Sequence, residues 1–236
     1  MPLPSLIAID GPVASGKSAV GKRLAAKLGY LFFDTGVMYR AVTCVALHEL
    51  GSAEDAEAVT RLAQRIRIDI QPPTVNDGRD CTVLVFDPRH GPDGEDITWA
   101  IRGKDVENNV SLVAAMQAVR RILTEQMRRV GLRGQVVMVG RDVGTVILPE
   151  ADLKVFLTAS VETRARRRYQ ETQARGTGDL RTYEDILANL RERDQIDSSR
   201  KIAPLRAADD AAILDTTDLD LEGVIAAIEN LIAARN

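Results

Sequence analysis

The stretch Leu6-Ile7-Ala8-Ile9-Asp10-Gly11-Pro12-Val13-Ala14-Ser15-Gly16-Lys17-Ser18 decides how this chain is read. A short apolar run of strand type, Leu6 to Ile9, leads into Gly11 to Ser18, which fits G-x-x-x-x-G-K-[ST], and a helical pattern opens at Lys17. The context gives the motif physical content. Glycines let successive backbone N–H groups turn towards one anion, and the helix start adds the positive end of its dipole. Lys17 reaches the β and γ phosphates, and the Ser18 hydroxyl is a ligand for Mg2+. The segment is read as a loop holding the phosphates of a nucleoside triphosphate.

Outward from this loop, short apolar runs alternate with longer amphipathic ones. Leu6 to Ile9, Leu31 to Phe33, Gln135 to Val139, Leu153 to Leu157 and Ala211 to Leu214 read as strands. Helical patterns cover Lys17 to Leu28, Met38 to Leu50, Val113 to Val130, Val161 to Arg175, Tyr183 to Gln195 and Leu221 to Ala234. The expected class is α/β with a parallel sheet. Two stretches break the rhythm. Ile66 to Ile70 and Cys81 to Phe86 alternate in the strand manner among Pro72, Pro73, Gly78, Gly91 and Pro92, which predicts a small inserted antiparallel sheet. Ala174 to Thr182, with Gly176 and Gly178 between arginine-bearing helices, reads as the tip of a movable lid.

Bulk properties exclude several classes. With 236 residues, one decorated domain is expected. The formal charge of -3 gives no global attraction for nucleic acid or an anionic membrane, and 4% aromatic residues is little for base-stacking platforms. No stretch approaches the roughly 20 apolar residues of a membrane span, and no basic leader precedes the first strand, so a cytoplasmic location is expected. Cys44 and Cys81 lack metal-site spacing and read as reduced structural thiols; His48 and His90 have no evident catalytic partners.

The triphosphate loop alone does not name a reaction, because switches, motors and small-molecule kinases share it. The acceptor side is read from three further segments. Asp34-Thr35-Gly36-Val37-Met38-Tyr39-Arg40 follows the second strand, so Asp34 and Thr35 stand at a strand's carboxyl end, where open α/β sheets bind ligands. Asp34 there can orient a water on Mg2+, and Arg40 can fork onto a phosphate. Gly140-Arg141-Asp142-Val143-Gly144-Thr145 places a charged pair between glycines after a buried strand, and a carboxylate such as Asp142 can accept from the exocyclic amine of cytosine. Arg193, Asp197 and Arg200 recur at i, i+4, i+7, and Arg164, Arg167 and Arg168 share a face across the lid tip. Arginines on a closing segment neutralise charge and exclude water, which is what phosphoryl transfer requires.

Together these segments resemble the bacterial cytidylate kinases, within the nucleoside monophosphate kinases, from Ile7 to Thr216. The resemblance also rests on Ile9-Asp10-Gly11-Pro12, Arg193-Asp194 with Asp197-Ser198 and Arg200, Ala203-Pro204-Leu205 and Ala208-Asp209-Asp210-Ala211. It implies a P-loop NTPase fold with a five-stranded parallel sheet, a helical lid and the inserted antiparallel sheet. The implied division is a core of residues 1–36, 105–160 and 203–236, an acceptor-binding region near 37–104 and a lid near 161–202. The implied reaction converts ATP and CMP or dCMP to ADP and CDP or dCDP, with Mg2+ as cofactor held by Ser18 and Asp34. ATP would be bound by Gly11, Pro12, Val13, Ala14, Ser15, Gly16, Lys17, Ser18 and Ala19, with Arg164 and Arg168 from the lid. Ser111, Arg120 and Asp142 would face cytosine, Thr35, Tyr39, Arg40 and Arg141 the acceptor side, Arg193 and Asp197 the sugar, and Arg200 the phosphates. Lys17, Arg141, Arg193 and Arg200 form the implied catalytic set, in a monomer that binds neither nucleic acid nor membrane.

The sequence departs from the family pattern twice: Val139 stands where an acid usually precedes Gly-Arg-Asp, and Val13 where Ser usually follows Gly-Pro. Two other readings remain open on the residues. One is a kinase for another small acceptor, such as UMP, shikimate or a nucleoside. The other is a nucleotide switch, although the N-K-x-D segment that reads guanine is missing.

Overall fold

A computed structural model describes residues 3–175, 181–199 and 203–235. The chain runs β1 (Leu6–Asp10), α1 (Lys17–Leu28), β2 (Leu31–Asp34), α2 (Gly36–Leu50), α3 (Ala56–Arg65), β3 (Arg67–Gln71), β4 (Thr82–Phe86), β5 (Glu95–Asp96) and α4 (Lys104–Ala115). It continues through α5 (Gln117–Gly131), β6 (Val136–Gly140), β7 (Leu153–Thr158), α6 (Val161–Arg175), α7 (Tyr183–Ser199), β8 (Ala212–Asp215) and α8 (Leu221–Ala233).

The main sheet has five parallel strands in the order β2-β6-β1-β7-β8, so β1 is central, with Asp10 opposite Gly140 of β6 and Phe156 of β7. Period-two alternation sends successive side chains to opposite faces. Ile7 and Ile9 join Val137, Val139, Val155 and Leu157 under α1 and α8, whereas Ala8 joins Phe33, Val136 and Met138 under the α2, α3 and α5 side. Helices on both faces explain why these strands read as continuous apolar runs. A fully buried side chain such as Ile7, Ile9 or Leu24 contributes about 1.5–3 kcal/mol to that core. Because the strands are parallel, their carboxyl ends share one edge, and the loops after β1, β2 and β6 emerge together there.

The expected insert is present as a three-stranded antiparallel sheet, β3-β4-β5, with the two-residue β5 as an unforeseen third strand. Its β3 edge is not left open. Gln126 of α5 accepts from the Ile68 N–H (2.7 Å) and donates to the Ile66 carbonyl (3.0 Å), and Arg129 donates to the Ile68 carbonyl (2.6 Å). A helix side chain thus supplies the pairs that another strand would otherwise provide.

Two helical details differ from the sequence reading. Helix α3 was not expected, yet Asp55 caps it, accepting from the Glu57 and Ala58 N–H groups, while Val59, Leu62 and Ala63 are buried. The single helix expected over Val113 to Val130 is two: α4 ends at Ala115, Met116 is extended (φ -73, ψ 110), and α5 starts afresh. No proline or glycine marks the break. Val106 and Val113 of α4 are buried as one stripe, whereas α5 buries Val119, Leu123, Met127 and Val130 as another. Tertiary packing of two stripes, rather than local propensity, sets the corner.

The two cysteines are free, as expected; burial pushes the Cys81 thiol up to about 11, which leaves it unreactive. No helix among the described residues is long and apolar enough to cross a membrane.

Candidate active site

The donor loop is built from backbone. Gly16, in the left-handed region (φ 89), ends the loop and opens α1, and Ala14 also adopts positive φ (61). At Gly11 an added Cβ would run into the Leu157 carbonyl, so only glycine lets the loop pass this close to β7. Lys17 folds back to donate to the Pro12 carbonyl at 2.8 Å, a contact that a bound phosphate would take over. Crowding lowers the Lys17 pKa to about 8: desolvation is the largest cause and the Arg141 charge the next, opposed by Asp34, Asp10 and Asp197.

Ser18 and Asp34 are neighbours, the hydroxyl donating to the carboxylate at 2.9 Å. The other Asp34 oxygen accepts from the Gly36 N–H, which fixes the side chain over the start of α2. One hydroxyl and one carboxylate are hard oxygen donors that fit Mg2+, a cation usually held by one or two carboxylates together with phosphate and water. Among the described residues no cluster of three or more acidic, histidine or cysteine side chains offers a fuller metal cage.

The loop after β6 carries the charged pair Arg141 and Asp142. Gly140 is required by proximity, since a Cβ there would lie 2.7 Å from the Thr35 hydroxyl oxygen. Beyond it the chain forms a single π-helical turn over Val143–Ile147, a form rare outside functional sites, in which the Asp142 carbonyl accepts from Val146 (2.9 Å) and Ile147 (3.1 Å). Asp142 is buried and its carboxylate meets the Arg120 guanidinium at 2.8 Å, with Arg120 also stacked over the Tyr39 ring at 5.6 Å. Arg141 lies 2.6 Å from the buried Asp197 carboxylate of α7. Arg40, half-buried, donates to the Ile101 carbonyl at 3.5 Å.

The lid helices are seated on the donor loop. Ala165, Ile186 and Leu190 form a small apolar cluster against which Val13 and Ala14 pack, so the Val13 departure from the family pattern supplies apolar surface to the lid. Arg164 donates to the Val13 carbonyl (3.1 Å), to the Ala159 carbonyl and to both oxygens of Asp194. It touches the loop through the Val13 carbonyl, with most of its guanidinium engaged in these bonds. Arg167 holds the Thr216 and Leu219 carbonyls, and Arg168 pairs with Glu171 on the surface.

Of the residues expected to act together, the structure gathers Lys17, Ser18 and Asp34 on the donor side and Thr35, Tyr39, Arg120, Arg141, Asp142 and Asp197 facing them. Ser111 on α4 and Arg193 on α7 are exposed. Arg200 and the lid tip at Gly176 and Gly178 lie outside the described residues. Val139 is fully buried with its methyl group against Gly21 of α1, so the position usually acidic in the family is here part of the core.

Asp10, which the sequence motifs leave without a role, has one in the fold. It is 4% exposed, and its two oxygens accept from the Val143 N–H (2.9 Å) and the Gly144 N–H (2.7 Å). Burial pushes its carboxyl up to about 6 against the pull of those two bonds. A charge at the end of a four-residue apolar strand was the signal, because a buried carboxylate must have partners.

A cytidylate kinase family model matches residues 7–234. The chain belongs to the cytidylate kinase family. A cytidylate kinase of Herpetosiphon aurantiacus is 48% identical over 232 residues, covering 98% of this chain and 96% of that one. A cytidylate kinase of Chloroflexus aggregans is 50% identical over 198 residues, 84% and 82% of the two chains. A solved structure of an uncharacterised protein from Eubacterium ventriosum, 12% identical, superposes with a TM-score of 0.50 over 98% of this chain and 99% of that one, a likeness of fold alone. Family membership makes the chain a phosphotransferase with a phosphate group as acceptor, and implies ATP-dependent phosphorylation of CMP.

Proposed function

We propose that the chain transfers the γ-phosphoryl group of ATP to CMP and dCMP, with Asp142 reading the cytosine amine. One observation carries the reading: the buried Asp142 carboxylate, held by Arg120, whose guanidinium in turn lies over the Tyr39 ring, stands just beyond the end of β6, next to the strand that feeds the donor loop. A carboxylate accepts from the 4-amino group of cytosine and finds no donor on the 4-oxo group of uracil. Ser111, from α4, adds to the base contacts.

In this mechanism Arg40 and Arg141 grip the acceptor phosphate, and Asp197, released from Arg141, turns with Arg193 to the sugar hydroxyls. The loop from Gly11 to Ala19 holds the donor phosphates, with Lys17 moved from the Pro12 carbonyl onto them. Arg168 and Arg200 add positive charge from the lid, and Arg164 serves ATP through the shape of the loop. Ser18 and Asp34 would hold Mg2+, which would supply neutralisation of the donor phosphate charge. An acceptor phosphate oxygen attacks the γ phosphorus in line, the bond to the β–γ bridging oxygen breaks, and ADP leaves. Residues 37–104 act as the acceptor-binding region and 161–202 as the lid on a core of the remaining segments. The enzyme works as a cytoplasmic monomer on small nucleotides, without nucleic-acid or membrane partners.

An ADP-release assay over CMP, dCMP, UMP, shikimate and a nucleoside tests the acceptor, and Asp142→Asn tests the reader. The variant is expected to lose at least about tenfold in the CMP to UMP ratio of kcat/KM, the scale of one charge-assisted hydrogen bond. An unchanged ratio would remove Asp142 from base recognition, and a preference for shikimate or a nucleoside would overturn the reaction.

A further inference from the structure

We infer that Asp10 is a positioning residue for acceptor recognition: through the backbone N–H groups of Val143 and Gly144 it fixes where Asp142 stands. This deepens the proposed function and rests on it. Asp10 lies on the central strand, immediately before Gly11, so its sequence position points to the donor side. Its hydrogen bonds do not. Both go to the acceptor-side loop, at 2.9 and 2.7 Å, one to each carboxylate oxygen.

The surroundings leave this loop little freedom elsewhere. The Asp142 carbonyl is committed to the π-helical turn, and Gly144 is wedged, since a Cβ there would lie 3.2 Å from the Lys154 Cδ and 3.4 Å from the Asp10 Oδ2. Lys154 is anchored in turn by Asp210, at 2.9 and 2.8 Å. Asp142 is therefore pinned by the two peptide groups that follow it, and the anchor is rigid because β1 is paired on both sides. Two converging N–H donors need two acceptors. A carboxylate provides them, whereas an asparagine offers one oxygen and turns its NH2 against the second N–H, pushing one of the two peptides away. The loop would then swing at Val143 or Gly144, and Asp142 with it.

The test uses the full chain with Asp10→Asn, Asp142→Asn, the double variant and Gly144→Ala. KM and kcat are measured for CMP and ATP, with ATP affinity from calorimetry without acceptor and Tm for each variant. Asp10→Asn is expected to lower kcat/KM for CMP by at least about tenfold, mainly through KM, while ATP affinity stays within about twofold. Because Asp10 acts through Asp142, the double variant should fall no more than about threefold below Asp142→Asn alone. Gly144→Ala, which crowds the same bond from the other side, should raise the KM for CMP in the same direction and serves if Asp10→Asn does not fold. Equal losses of ATP and CMP affinity, multiplying losses in the double variant, or a fall in Tm with unchanged KM for CMP would each overturn the inference. If Asp142→Asn keeps its CMP to UMP ratio, the base reading fails, whereas a raised KM for CMP in Asp10→Asn still locates its action on the acceptor side.

Discussion

The donor loop and the acceptor loop emerge from neighbouring strands of one sheet and are built by opposite means. Residues 11–18 bind through peptide groups, so conformation is the whole design: Gly11 and Gly16 are there for space and dihedral freedom, and a single side chain, Lys17, adds charge. In the proposed mechanism the loop after β6 binds through long charged side chains, and each of these is already paired, Arg141 with Asp197 and Asp142 with Arg120. A backbone site is preformed and general, whereas a side-chain site must be held in place from outside and exchange partners when its ligand arrives. Selectivity between bases belongs on the second kind, because only side chains differ in what they accept and donate.

The largest expected effect is on the donor side. Lys17→Met removes the one cation inside the backbone cradle and should lower kcat by about 10²–10³-fold with little change in Tm, since its Pro12 partner can turn to water. A comparable kcat would show that peptide groups alone carry the donor site. Next comes Arg141→Ala, where the two loops should differ in kind. It should lose turnover and also stability, by roughly 1–3 kcal/mol, because the buried Asp197 carboxylate loses the Arg141 ion pair. Adding Asp197→Asn should restore the Tm but not the turnover; a double variant as unstable as the single would show that the pair holds no charge balance. The smallest effect is expected at Ala14, whose left-handed φ of 61 suits glycine. Ala14→Gly should shift stability by no more than about 1 kcal/mol, the relief of strain being offset by added chain entropy, while loosening the lid contact made at that residue. Thermal denaturation with and without ATP would register it, and a large loss of stability would show that the Ala14 methyl group matters more to the lid than its dihedral costs.

This contrast also explains what could be read from the sequence. The donor loop was legible because a backbone site is local: glycines, lysine and serine must fall within eight consecutive residues between a strand and a helix. Four of the five strands were legible for a related reason, each being a short apolar run with residues buried on both faces, whereas β8 lies at the sheet edge with Ile213 exposed. Thr35, Asp34 and the Arg141-Asp142 pair were visible as polar residues at strand ends. Their partners were not. Arg120 reaches Asp142 from α5, and Asp197 reaches Arg141 from α7, contacts that only the folded chain creates. The corner at Met116 was hidden because no residue there disfavours helix. Asp10 was overlooked because its partners are peptide N–H groups more than a hundred residues away, which leave no trace in side-chain pattern.

The pairing of Arg141 with Asp197 and Arg120 with Asp142 has a further consequence. A basic pocket open to solvent collects small anions from the buffer and must shed them to bind its ligand, which makes affinity fall steeply as salt rises. Here the protein's own carboxylates occupy that role, tethered and not counted among the ions of the solution. In the proposed mechanism the acceptor phosphate displaces Asp197 from Arg141 and few mobile ions are released. The KM for CMP should therefore be buffered against changes in ionic strength.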